Sequence, residues 1–114
     1  MSMIEAEQRP NAVVVKMLTD EFEMYKVPEF KTAVTGCIES KPATVVLDLE
    51  KVESIDSSAI GALFYFNKAV KSYGGKLILV QIGEQVDAIL HATQSMGLLN
   101  VMTTTDEALG SHQA

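Results

Sequence analysis

The sequence predicts an α/β fold built on a largely parallel β-sheet. Short β-branched runs alternate along the chain with longer segments whose apolar residues recur at helical spacing, in the order ββαβαβαβ(α). Strands separated by helices run parallel, because each helix carries the chain back to the same end of the sheet. One run, residues 45–49, is apolar without alternation, which is typical of a central strand buried on both faces.

Length, charge and cysteine content limit the class of protein. The 114 residues suit one domain over 1–114, with 47% apolar residues to form its core, and we expect residues 1–3 and 110–114 to fray. The net charge of −6 argues against nucleic acid or an anionic membrane surface as a partner, since both require clusters of Lys and Arg. Because Cys37 is the only cysteine and no apolar run reaches membrane-spanning length, we expect a cytoplasmic protein without membrane insertion.

The first half of the chain predicts a β-hairpin followed by a helix. Residues 3–7 and 12–18 are strand-like, and the turn-forming residues 8–11 lie between them. Residues 19–23 are acidic and predict a loop. A helix then begins near Pro28, a residue that is tolerated in a first turn, and its apolar residues form one stripe.

The second half predicts alternating helices and strands. A long helix over 59–73 ends at Gly74 and Gly75, which favour a helix C-terminus. The later segments continue the alternation. They are a strand over 76–82, a helix over 85–94, a short strand over 100–103 and one helical turn over 106–109.

The junction between the central strand and the long helix has the sequence Ile-Asp-Ser-Ser-Ala-Ile-Gly, residues 55–61. Asp56 is of the type that caps helix N-termini, because its carboxylate can accept backbone N–H groups that no helical carbonyl reaches. Ser57 and Ser58 would then occupy the first turn. A phosphate there would lie at the positive end of the helix dipole and would add about −1.5 to −2 charge. The stretch therefore predicts a switch that acts on an interface.

The long helix is apolar on nearly every side between residues 59 and 66. Either neighbouring helices cover all of it, or part of Ile60, Phe64 or Tyr65 forms an exposed patch beside Ser57. Exposed apolar patches of this kind mark binding sites.

Residues 45–49, Val-Val-Leu-Asp-Leu, together with 55–61 resemble the signature of the STAS domain, in particular that of the bacterial anti-sigma factor antagonists. The resemblance extends from about residue 4 to residue 102. It implies a small mixed sheet with helices mainly on one face. In that family the serine directly after the aspartate is phosphorylated by a partner kinase, the anti-sigma factor, and that position is Ser57 here.

The resemblance implies a phosphorylation-switched protein-interaction module. The form that is unphosphorylated at Ser57 would bind an anti-sigma factor serine kinase, and a phosphatase could reverse the switch. Ser58 is a backup phosphoacceptor, and Asp56 caps the helix and presents the hydroxyl. We expect a monomer or weak dimer without a cofactor. The residues expected at the partner surface are Ser58, Ala59, Ile60, Gly61, Phe64, Asp20 and Glu21.

Two departures from the family pattern bear on that surface. Ala59 stands where the family often has glycine, which leaves the helix sound but alters how closely a partner's backbone can approach. Asp20 also replaces a glycine that is usual in the family, so that the acidic loop is either a solvated loop or a contributor to the partner surface.

Two alternatives remain open from the sequence. The first is a STAS scaffold subunit, never phosphorylated, of a signalling or lipid-transporter complex. The second is a receiver-type switch with Asp56 as phosphoacceptor and with Asp20 and Glu21 as metal-binding acids, although Lys76 opens its strand where a receiver has a lysine at a strand end. An enzyme or a metal site is not expected, because no nucleophile has a matched base and His91 and His112 lack ligand spacing.

Overall fold

A five-stranded β-sheet forms the centre of the protein in a computed structural model, which describes residues 3–111. The strands are β1 (Ile4–Arg9), β2 (Ala12–Met17), β3 (Glu21–Phe22), β4 (Thr44–Asp48), β5 (Ser54–Ile55), β6 (Lys76–Val80) and β7 (Asn100–Val101). The main sheet has the order β1-β2-β4-β6-β7, and β3 and β5 form a separate parallel ladder. Only β1 is antiparallel to its neighbour in the main sheet, which confirms the predicted largely parallel arrangement.

Four α-helices connect and follow these strands in the described part of the chain. They are α1 (Val27–Cys37), α2 (Ser57–Lys71), α3 (Glu84–Ala92) and α4 (Thr105–Ser111), and two 3₁₀ helices cover Met24–Lys26 and Met96–Leu98. No helix within residues 3–111 combines the length and the apolar content that crossing a membrane requires.

The helices divide unequally between the two faces of the sheet. Alternate residues of the central strands, such as Leu47, pack with Phe30 of α1, Leu63 of α2 and Leu90 of α3 in one large buried cluster. The opposite face carries a smaller cluster of Val14, Val46, Ile78 and Val80, which Ala108 of α4 covers. The prediction of helices mainly on one face is therefore confirmed, and continuous apolar strands such as β4 reflect burial on both faces.

Gly74 and Gly75 end α2 for two different reasons. Gly74 has a φ of +88°, a left-handed conformation that side chains other than glycine rarely adopt. A Cβ on Gly75 would lie 2.7 Å from the Tyr73 ring and 2.9 Å from Val70 Cγ1, so the close turn has no room for it. The Gly75 N–H donates to the carbonyl of Val70 and so closes the helix.

The structure differs from the prediction at several short elements. The acidic segment 19–23 is not only a loop, because it contains β3. The helical turn predicted near the C-terminus is the seven-residue α4. At the ends that were expected to fray, Met3 is buried in the core and Gly110 belongs to α4, whereas residues 1–2 and 112–114 lie outside the described residues.

Candidate functional site

The N-terminus of α2 lies where the chain leaves the sheet through β5. Asp56 is the N-cap, with extended backbone angles, and its Oδ1 accepts the backbone N–H of Ala59 at 2.9 Å. One of the free N–H groups of the first turn is thereby satisfied by a short side chain. The helix therefore begins at Ser57, as expected with Asp56 as the cap.

The second oxygen of Asp56 joins α2 to a distant segment. Its Oδ2 accepts the backbone N–H of Met24 at 3.0 Å, across 32 residues of sequence. The N–H of Ala59, followed by that of Met24, lowers the pKa of the Asp56 carboxyl below its usual value of 3.8, although partial burial acts in the opposite direction. Asp56 thus stays ionised at neutral pH and holds both segments at once.

The short β3–β5 ladder explains why Met24 lies beside the start of α2. The carbonyl of Asp20 accepts the N–H groups of Glu53 and Ser54, at 2.7 and 3.2 Å, and the carbonyl of Phe22 accepts the N–H of Asp56 at 3.3 Å. These backbone bonds place the 3₁₀ helix that follows β3 directly against the α2 N-terminus. The ladder is therefore the local scaffold of the site.

Ser57 and Ser58 both lie in the first turn of α2 and both are exposed. No acidic side chain occupies that turn. The positive end of the helix dipole is therefore complemented by Asp56 alone. This geometry leaves two accessible hydroxyl-bearing residues at the positive end of the helix dipole.

The apolar start of α2 separates into a buried and an exposed face. Ala59 is fully buried and Ile60 is 6% exposed, so neither side chain is on the surface of the chain by itself, and their contribution to a partner surface stays a prediction. Both face the core because α1, α3 and the sheet surround that side of α2. Phe64 is half-buried, whereas Gly61 is exposed.

Two apolar residues that the sequence did not single out are exposed beside the site. Met24 is 54% and Tyr25 82% exposed, in the 3₁₀ helix that Asp56 holds. From the sequence alone, Met24 and Tyr25 are ordinary residues shortly before a predicted helix. No local signal distinguishes them, because Phe22 lies three residues before Tyr25 and Val27 three residues after Met24, so each could belong to an apolar stripe of a helix.

Asp20 and Glu21 are exposed, but the structure gives them no receiver-like geometry. Both oxygens of Asp56 accept backbone hydrogen bonds, and Asp20 acts in the ladder through its carbonyl. Within residues 3–111, no three His, Cys, Asp or Glu side chains are grouped so that they could hold a metal ion. Among the described residues, the acidic pair is therefore not grouped with Asp56 as a set of metal ligands.

A family model described as the STAS domain matches residues 3–108, which is nearly the whole chain. The chain belongs to the STAS domain family. This match confirms the resemblance drawn from residues 45–49 and 55–61, and it accounts for the mostly parallel sheet with three helices on one face.

Several named proteins are similar to this chain in sequence or in fold. A Thermotoga neapolitana protein named as a candidate anti-sigma factor antagonist is 37% identical over 65 residues, which are 57% of this chain and 58% of that protein. The matched segment thus spans less than two thirds of that relative.

Two solved structures share the fold of this STAS domain along almost its whole length. A candidate anti-sigma factor antagonist from Thermotoga maritima has a TM-score of 0.86 at 24% identity, covering 98% of this chain and 96% of the other. The Bacillus cell fate determinant SpoIIAA in its phosphorylated form has a TM-score of 0.69 at 16% identity, covering 95% and 97%. These TM-scores show a shared fold, and at identities this low the similarity shows the fold alone.

Proposed function

We propose that this STAS domain is an anti-sigma factor antagonist whose binding to an anti-sigma factor is switched off by phosphorylation of Ser57. The observation that carries the proposal is the exposed Ser57 in the first turn of α2, directly after the Asp56 cap. The chain's relatives named as anti-sigma factor antagonists support the partner class, and the phosphorylated SpoIIAA structure supports the modification.

The geometry indicates how a phosphate could end binding while the fold survives. A phosphate on Ser57 lies at the helix N-terminus, where an anion is stabilised by about 0.3–1 kcal/mol. It also adds about −1.5 to −2 charge beside the ionised Asp56. Two like charges about 4 Å apart near a protein surface repel by about 4 kcal/mol before salt screening. Each 1.4 kcal/mol changes affinity about tenfold, so one acidic partner group near Ser57 suffices for release.

The remaining parts of the proposal follow the same geometry. Asp56 positions Ser57, Ser58 serves as a second acceptor, and Gly61 and Phe64 lie further along the docking surface, with Asp20 and Glu21 at its edge. The chain acts by binding and not by catalysis, as a cytoplasmic monomer or weak dimer. ATP and Mg²⁺ belong to the anti-sigma factor kinase, and a phosphatase restores the binding form.

The first experiment identifies the phosphorylated atom. The chain is incubated with its anti-sigma factor kinase and ATP, and the phosphopeptide is mapped by mass spectrometry. We expect one acid-stable phosphate that is lost in Ser57→Ala and retained in the neighbouring control Ser58→Ala. Unchanged incorporation in Ser57→Ala contradicts the assignment. An acid-labile phosphate, obtained from acetyl phosphate and Mg²⁺, would instead favour the receiver interpretation with Asp56 as acceptor.

The second experiment separates charge from size at the same position. Ser57→Asp introduces a negative charge, whereas Ser57→Asn adds a neutral side chain of the same shape. We expect Ser57→Asp to lose at least about tenfold in affinity for the anti-sigma factor and Ser57→Asn to stay within a few-fold of wild type. Equal binding by Ser57→Asp and wild type counts against the switch and favours a STAS scaffold that is never phosphorylated.

A further inference from the structure

Met24 and Tyr25 form an apolar pair on the surface that the fold itself does not use. Their side chains are 54% and 82% exposed, while the residues that flank the 3₁₀ helix in the core, Phe22 and Phe30, are fully buried. A tyrosine buries a large area on binding at a small cost in side-chain freedom, and such residues dominate protein interfaces. An exposed pair of this kind, next to a candidate site, indicates an interaction surface.

The pair is held rigidly although it is exposed. Its backbone is fixed on one side by the Met24 N–H, which donates to Asp56 Oδ2 at 3.0 Å. On the other side, the Lys26 ammonium donates to Thr19 Oγ1 at 2.6 Å and to the Glu21 carbonyl at 2.7 Å.

The aromatic core beneath the pair adds to this rigidity. The rings of Phe22 and Phe30 are in contact, with centroids 4.8 Å apart, and Phe30 meets Phe66 of α2 edge to face at 5.8 Å. The segment between Phe22 and Phe30 is thus attached to the core at both ends. Binding through a segment already fixed in place loses less conformational entropy than binding through a flexible loop.

The charges around the pair select the kind of partner. Asp20, Glu21 and Glu53 are exposed in the adjoining ladder, and the nearby ammonium of Lys26 is occupied by the oxygens of Thr19 and Glu21. An acidic rim of this kind attracts a basic surface and repels an anionic membrane or nucleic acid. The complementary partner surface is therefore an apolar pocket that carries Lys or Arg on the side facing this ladder, and the acidic group proposed to meet Ser57 lies on its α2 side.

We propose that Met24 and Tyr25 form an apolar anchor that inserts into a basic-rimmed pocket on the anti-sigma factor. The identity of that partner rests on the proposed function, whereas the anchor rests on the exposure, rigidity and charge of the segment. Because Asp56 contacts the anchor's backbone and immediately precedes Ser57, one partner covers the anchor and the phosphoacceptor together. The anchor supplies affinity and discrimination between partners, and Ser57 supplies the switch.

The test compares two exposed apolar side chains that both lie in 3₁₀ helices. Tyr25→Ala removes the anchor. Leu98→Ala is the control, because Leu98 is 65% exposed but precedes β7 and so lies at the end of the parallel sheet opposite to Ser57. Binding of each purified variant to the purified anti-sigma factor is measured by calorimetry, with Ser57→Asp in parallel.

We expect Tyr25→Ala to lose at least about tenfold in affinity, Tyr25→Phe to remain within a few-fold, and Leu98→Ala to bind as wild type. The thermal midpoints of all three variants should remain near that of wild type, since these side chains are exposed. Wild-type affinity in Tyr25→Ala overturns the anchor, whatever Ser57→Asp does. Loss of binding in Tyr25→Ala with full binding in Ser57→Asp supports the anchor and contradicts the switch.

A salt titration tests the basic rim separately. Raising the ionic strength from about 0.1 M to about 1 M shortens the Debye length from about 10 Å to about 3 Å. We expect the affinity of the wild-type chain to fall over this range, and the double variant Asp20→Asn, Glu21→Gln to show a weaker dependence. An affinity that does not depend on salt overturns the basic rim.

Discussion

The N-termini of α2 and α3 lie at the same end of the sheet, since they follow the neighbouring parallel strands β4 and β6, but they are built differently. At α2, the Asp56 side chain caps the helix and no acid occupies the first turn. At α3, the N-cap is Gly83, which makes no side-chain cap, and Glu84 and Asp87 occupy the first turn. The α3 terminus is complemented by two acids in its first turn, whereas the α2 terminus is complemented by the capping carboxylate of Asp56, whose second oxygen accepts the Met24 N–H.

The comparison shows how a helix start can be both stable and available for regulation. One aspartate satisfies the structural requirement at α2, so the two exposed serines after it are not needed for stability. The first turn of α3, residues 84–87, contains two acids and no hydroxyl-bearing residue, so it offers no group that a kinase could phosphorylate. The difference in chemistry between two equivalent positions of the fold therefore points to α2 as the modifiable one.

The largest expected effect comes from removing one carboxylate at each terminus. Asp56→Ala should lower the free energy of unfolding by about 1–2 kcal/mol, because it deletes the cap on Ala59 and the bond to Met24. Glu84→Ala, the matched control, should cost only about 0.3 kcal/mol, since Glu84 is exposed and interacts through the helix dipole.

Urea denaturation measures both values, and amide hydrogen exchange reports on Met24 directly. The Met24 amide should lose protection in Asp56→Ala and keep it in Glu84→Ala. Similar losses of stability in the two variants would mean that the two helix starts are energetically alike, and would remove the basis of the comparison.

The next effect sharpens the distinction between the buried and exposed faces of α2. Gly61 lies in the helix interior and is exposed, and a Cβ there meets no atom within 4 Å. Gly61→Ala should therefore stabilise the fold by up to about 1 kcal/mol. If this position is kept open for a partner's backbone, the same change should weaken binding to the anti-sigma factor.

Gly36→Ala is the matched control for that variant. Gly36 is also an exposed helical glycine with open space around its Cα, but it lies in the last turn of α1. Gly36→Ala should raise the thermal midpoint by less than Gly61→Ala does, and it should leave binding to the anti-sigma factor unchanged. Stabilisation by Gly61→Ala without any loss of affinity would place Gly61 outside the docking surface.

The strand and helix order could be predicted from the sequence because each long element has its own periodic signal. The continuous apolar run at β4, the cap residue Asp56 and the pair Gly74-Gly75 are local features with local causes. Each of these features is determined by residues that lie close to it in the sequence. The predicted α/β fold and the start of α2 therefore agree with the structure.

The site could be predicted only in part, because its remaining features arise from contacts between distant segments. The two-residue strands β3 and β5 are too short for periodicity, and the bond from Met24 to Asp56 spans 32 residues. A helix that is apolar on nearly every side also does not reveal which side meets the core, so the burial of Ala59 and Ile60 could not be predicted.

The smallest expected effect is a loss of folding stability at low pH, which tests whether Asp56 acts as a charged cap. Since the Ala59 and Met24 N–H groups lower the pKa of Asp56 from 3.8, the unfolded chain takes up a proton at this residue more readily than the folded chain. The stability gained from this charge is complete above about pH 4 and is lost as the pH falls through the lowered pKa. Asp56→Asn keeps an oxygen that can accept the Ala59 N–H but does not titrate. Urea denaturation at about pH 7 and at about pH 3 should therefore show wild type losing its advantage over Asp56→Asn in acid, and a constant difference would show that the cap works through its shape and hydrogen bonds alone.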